Sequence, residues 1–254
     1  MYDDLVKDFE LSRDLDLDWD SSVIPCIELA QNRIQEAGIK RQESDVFFSS
    51  DDIKIRESLK RVGVKVEYVV TSKEAKRTVV LFLQKHGRRG RYDDLGKLSQ
   101  RRIIDIIESL VRDNILKTVF TEGSERGFEY SKRQATKSLI RGTSMFGVLE
   151  AKQNLGEKLN LLGIEHPGYI KKVLNEGGER DTSFMIRATI NNIALSDALK
   201  DAPANEVVGM VIGRGHEYDS KKSKLFVDDN PLPFSQVIAL QNQANVIVID
   251  TTKE

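Results

Sequence analysis

Only one cysteine, Cys26, occurs in the 254 residues, so no disulfide can form within the chain and a zinc site built on cysteines is excluded. A reducing compartment is therefore expected, the cytoplasm, or the nucleus where the host has one. Histidine is scarce too: His86, His166 and His216 lie far apart and none has metal-ligand spacing, so no metal or other cofactor is expected. There is no run of 18 apolar residues, and the first twenty residues are too acidic for a secretory signal, so no membrane partner is expected. Walker and nucleophile-elbow sequences are lacking, and no glycine-rich loop follows Phe48 to cradle a mononucleotide. These absences point to a binding protein and not an enzyme.

What is present is an ordinary globular composition, 39% hydrophobic and 31% charged, with the charge unevenly placed. Residues 1–72 carry 10 Lys and Arg against 16 Asp and Glu, residues 73–142 carry 17 against 9, and residues 143–254 carry 12 against 15. A basic middle third between acidic flanks is the layout of an embedded polyanion-binding module. Its densest stretch, "KHGRRGRYDD", sets four cations and a histidine into seven residues before two aspartates reverse the sign.

The chain divides into four parts. Residues 1–22 form an acidic arm ending in "DLDLDWD", where Asp14, Asp16, Asp18 and Asp20 alternate with apolar residues. An EF-hand loop starting at Asp14 would need glycine and glutamate where Trp19 and Pro25 stand, so calcium is excluded. A docking arm and a solvated terminus both fit the alternation. Residues 23–72 read as a small α/β segment: a helix in "IPCIELAQNRIQEAG", a strand in "SDVFFSS", a helix in "DDIKIRESLKRVG" opened by Ser50 or Asp51 and closed by Gly63, and a strand in "VKVEYVV". Residues 143–254 read as a helical and β region: helices in "SMFGVLEAKQNLGEKLNLLGI" and "DTSFMIRATINNIALSDALKD", then strands in "EVVGMVIGRG", "SKLFVDD", "SQVIALQ" and "NVIVIDT" that form a small antiparallel sheet.

Residues 73–142 carry the functional expectation. "EAKRTVVLFLQKHG" predicts a helix offering Val79, Val80, Phe82 and Leu83 to a core. A short helix holds Leu95 and Leu98. A third begins at the N-cap Ser99 and stacks Ile103, Ile106, Ile107 and Leu110 on one face, with Asn114 after its last turn. "ILKTVFT" and "FEYSK", joined by "EGSERG", predict a hairpin. Residues 73–133, in this order of elements and in the string "IIESLVRDNILKTV", resemble a winged helix-turn-helix domain.

The resemblance implies an α+β fold with a central winged helix. It places Lys85, Arg88, Arg89 and Arg91 beside a phosphate backbone, Gln100, Arg101 and Arg102 at the start of the third helix, and Arg126, Lys132 and Arg133 on the wing and its exit. Asp105 and Glu108 on the third helix favour backbone over base contacts. The function implied is duplex DNA binding by a transcriptional regulator or a replication or partition factor, without catalysis, as a homo-oligomer. A viral or phage assembly protein that binds RNA or an acidic partner and self-associates is the alternative.

Two further patterns each admit two readings. "NLGEKLNLLGIEHPGYIKKVL" suits a second helix-turn-helix turning at Gly163, with one residue too many, or an ordinary helical hairpin. "GRGHEYD", Gly213 to Asp219, joins a cation, an imidazole and a carboxylate, and a hairpin loop explains it most cheaply.

Overall fold

An uninterrupted apolar run such as Val79 to Leu83 is stable only where both of its faces are covered, and the fold is built around it. In the computed structural model, residues 32–85, 92–141, 145–165, 195–202, 206–217 and 233–253 are described. Their strands are β1 (Lys40–Gln42), β2 (Tyr68–Thr71), β3 (Arg77–Gln84), β4 (Thr118–Glu125), β5 (Asn160–Glu165), β6 (Val207–Gly213) and β7 (Ala244–Asp250). Besides a helical stretch at 32–36, their helices are α1 (Ser50–Arg61), α2 (Asp94–Arg112), α3 (Lys132–Arg141), α4 (Phe146–Leu155) and α5 (Phe234–Asn242). Helices thus accompany a mixed sheet, in keeping with the α+β class expected.

All seven strands join one sheet in the order β1-β2-β7-β3-β6-β4-β5. The five from β7 to β5 run parallel, while β2 is antiparallel to β7 and β1 to β2. Parallel strands need covered faces, which is why β3 and β6 read as near-continuous apolar runs. On one face α1, α2 and α4 bury Ile55, Leu59, Ile103, Ile106, Ile107, Leu110, Val148 and Leu149 against Val80, Phe82, Val211 and Ile247. On the other, α5 and the 3-10 turn Asp197–Asp201 bury Phe234, Val237, Ile238, Ala198 and Leu199 against Leu81, Leu83, Met210 and Val248. Each fully buried aliphatic in these layers contributes about 1.5–3 kcal/mol.

Several expected elements take another form. The predicted helix at 74–87 is strand β3, because β-branched and aromatic residues in an unbroken apolar run serve a strand buried on both sides. The two helices expected between 94 and 113 are a single one, α2. Its N-cap is Asp93, whose side chain accepts from the Gly96 amide at 2.8 Å, while Ser99 lies inside the helix and bonds tertiary partners instead. The Ile103, Ile106, Ile107, Leu110 stripe is buried as expected.

The predicted hairpin is replaced as well. β4 pairs in parallel with β5 and β6, and the chain turns after Glu125 through Gly127, at φ 81°. It then runs antiparallel beside β5, with Tyr130 N donating to Leu161 O and Gly163 N to Phe128 O. The three helices and ribbon expected of 73–133 are therefore a strand, a helix and a strand of the common sheet, and the boundaries expected near 72 and 142 are spanned by it.

Elsewhere, "SDVFFSS" is not a strand. Arg56 gathers its carbonyls, donating to Ser44 O and to Val46 O at 2.8 Å, and lies over the Phe47 ring. "SQVIALQ" is in α5, and Leu159 to Gly163, expected within a helix-turn-helix, enters β5. The predicted small antiparallel sheet is instead parallel β6 and β7 within the large one, while "SKLFVDD", the arm 1–22 and most of 181–201 lie outside the described residues.

Candidate functional site

Topology decides where the polar residues meet. β3 and β6 are neighbours, with Gln84 level with Gly213. From β3 the chain passes to β4 through α2 on one face, and from β6 it passes to β7 through α5 on the other. Where two adjacent parallel strands send their connections to opposite faces, a crevice opens beyond their carboxyl ends, and this is the usual ligand position in such sheets.

The ends of β3, β4, β6 and β7 supply polar side chains there. Gln84 is fully buried and its Nε2 donates to Glu122 Oε1 at 3.4 Å, joining the exits of β3 and β4. Asp250 closes β7 with a side chain exposing 0%, and its Oδ1 accepts from the Thr252 amide at 3.0 Å and from the Thr252 hydroxyl at 2.6 Å. Its other oxygen lies 3.0 Å from Arg214 Nη2, out of hydrogen-bond alignment. Arg214 leaves β6 and reaches past the end of β3 to meet Asp250, with 37% of its side chain exposed. A carboxylate this buried is tolerated only beside a countercharge.

A second group of bonds fixes the start of α2 beneath this edge. Ser99 Oγ accepts from the Lys85 amide at 3.0 Å and lies 2.6 Å from Thr251 Oγ1, which donates to Leu83 O at 2.7 Å. Lys85 Nζ pairs with Asp93. That ammonium, with the Gly96 amide, holds the Asp93 carboxyl below its ordinary value. Burial pushes the Tyr92 phenol above its ordinary value, against the bond it accepts from the Phe146 amide.

Protein families, curated proteins and solved structures were compared with the chain, and none matches.

Of the ten residues expected to meet phosphates, the seven that are described do not share one surface. Lys85 and the turn holding Arg126 are at the carboxyl edge, and Arg101 is exposed in the first half of α2, paired with Asp105 at 3.4 Å. Arg102 donates to the carbonyls of Thr251 and Lys253, fastening the chain after β7. Gln100 is 2% exposed. Its Nε2 donates to Gln84 Oε1 and Lys85 O, both at 3.1 Å, and its Oε1 accepts from the Gly147 amide at 2.7 Å, so it is committed to the interior. Lys132 and Arg133 are exposed at the start of α3, which follows the stretch running back toward the amino end of β5, away from that edge. Arg88, Arg89 and Arg91 lie outside the described residues.

Gln84, Glu122 and Asp250 were not anticipated: Gln84 and Asp250 are single polar residues ending apolar strands, Glu122 opens the polar second half of β4, and only strand order brings them together. The signal available was "GRGHEYD": its Arg214 is at the crevice, on a 3-10 turn at the exit of parallel strand β6. Among the described residues no group of three His, Cys, Asp or Glu could hold a metal, and no helix is long and apolar enough to cross a membrane.

Proposed function

We propose that the protein binds a small anionic ligand in the crevice beyond the ends of β3 and β6, with Arg214 and Lys85 supplying countercharge. The observation that carries this reading is the Arg214–Asp250 pair, a partly exposed guanidinium held beside a fully buried carboxylate at the point where the sheet's connections diverge. A guanidinium carries five N–H donors in a planar fork suited to phosphate or carboxylate oxygens. The sequence between Lys85 and Tyr92 adds three arginines and no acid.

Calorimetric titration with inorganic phosphate and pyrophosphate tests it. Saturable binding is expected, weakened at least about tenfold by Arg214→Gln. Since that change strands the Asp250 carboxylate, the paired Arg214→Gln, Asp250→Asn variant is measured beside it. No saturable binding by the unaltered protein, or equal binding by a folded paired variant, overturns the reading.

A nucleic-acid backbone is the second reading, favoured by the basic sequence joining β3 to α2 and by exposed Arg101. It predicts affinity for duplex, single-stranded DNA or RNA that falls steeply with salt, with a shallower slope after Arg88, Arg89 and Arg91 are changed to Ala. An unchanged slope removes it.

A further inference from the structure

The turn that carries Arg214 is fastened on its far side. β6 ends at Gly213, Arg214–His216 form one 3-10 turn, and Glu217 follows with its amide donating to Arg214 O at 3.1 Å. Glu217 is 5% exposed, and its carboxylate is the meeting place of three elements. Its Oε1 accepts from the Tyr68 hydroxyl at the start of β2 and from Ser235 Oγ at 2.7 Å, and its Oε2 accepts from the Ser235 amide at 2.8 Å in the first turn of α5. Arg41 on β1 lies 3.7 Å over the Tyr68 ring and attracts the same carboxylate.

An apolar side chain could have filled this place at no desolvation cost. What a carboxylate adds is direction, because three donors from β2 and α5 allow it one position. That position determines where the 3-10 turn sits, and hence where the Arg214 side chain begins.

We infer that Glu217 is a positioning residue for the anion crevice, holding the Arg214–His216 turn so that the guanidinium stays against Asp250 over the end of β3. This role rests on the crevice binding an anion. It carries a pH dependence: a protonated carboxyl turns one oxygen into a donor facing donors, so at least one of the three bonds must reverse or break, and the turn loosens. Among the described residues, the ionisable or charged groups acting on the carboxylate are Tyr68 on β2 and Arg41 on β1, with Arg214 on the same turn; α5 contributes the neutral Ser235.

Sulfate is the probe, because it stays a dianion from mildly acidic to neutral pH. Binding is measured across that range for the unaltered protein, Glu217→Gln, Tyr68→Phe and Arg214→Gln, with folding checked by circular dichroism. At neutral pH, Glu217→Gln and Tyr68→Phe are expected to bind about tenfold more weakly, roughly the value of one or two hydrogen bonds. On acidification the unaltered protein is expected to lose affinity toward the level of Glu217→Gln, whose own profile is flatter.

Folded Glu217→Gln and Tyr68→Phe that bind sulfate normally overturn the positioning role. Should Glu217→Gln fail to fold, Tyr68→Phe decides alone. If Arg214→Gln abolishes binding while the other two do not, only the positioning role has failed. If Arg214→Gln changes nothing, the crevice reading has failed with it.

Discussion

Burial pushes the Glu217 carboxyl above the ordinary glutamate value of 4.5, because loss of hydration outweighs the bonds from Tyr68 and Ser235 and the attraction of Arg41. With a raised native value, the folded chain keeps this proton over a range where the unfolded chain has released it. The stability it contributes is fully present below 4.5 and is lost as pH rises through the native value. The melting temperature of the unaltered protein minus that of Glu217→Gln should therefore shrink from acidic to neutral pH; a difference that is flat or widens contradicts the assignment. Gln100 shows why such residues are hard to read from the chain alone. It stands three residues before Ile103 and seven before Ile107, on the face of the apolar stripe, so its polarity suggests exposure while its spacing points inward; its three partners come from β3, its exit and α4. Local pattern cannot report a bond whose other half is on a distant element.

At the scale of elements, legibility follows the number of faces each one buries. α2 and α1 bury one stripe each, and spacing alone identifies their apolar residues. β3 and α5 are covered more completely, so neither shows a clear period, and the strand reads as a helix and the helix as a strand. The close approach of α2 and α4 offers a test of this packing. A Cβ on Gly147 would stand 2.4 Å from the Gln100 carbonyl oxygen, a backbone atom that cannot swing aside. Gly147→Ala should cost about 1–3 kcal/mol in a denaturant titration. It should also loosen the Gln100–Gly147 bond, seen as faster amide exchange at Gly147. A variant as stable as the parent would show that the two helices can part freely.

For the molecule as a whole, the strand ends of the crevice become legible only once strand order is known. Gln84, Glu122, Arg214 and Asp250 are spread along the sequence and no spacing rule links them. Among the described residues, the same order ties both core layers to one sheet, so the two layers are expected to unfold together. Phe82, in the middle of β3 and fully buried, is the test: Phe82→Ala should lower stability by about 3–5 kcal/mol. Far-ultraviolet and near-ultraviolet circular dichroism should lose signal together in that variant. Separate transitions would mean that part of the chain folds by itself.

The place of β7 between β2 and β3 has a consequence for synthesis. Thr251 closes onto Leu83 across 168 residues of chain, so a ribosome must deliver nearly all of that intervening length before the central strand gains this neighbour. Until then β3 emerges with a bare hydrogen-bonding edge and a greasy surface, the features that make an unfinished sheet slow to close and prone to wrong pairing.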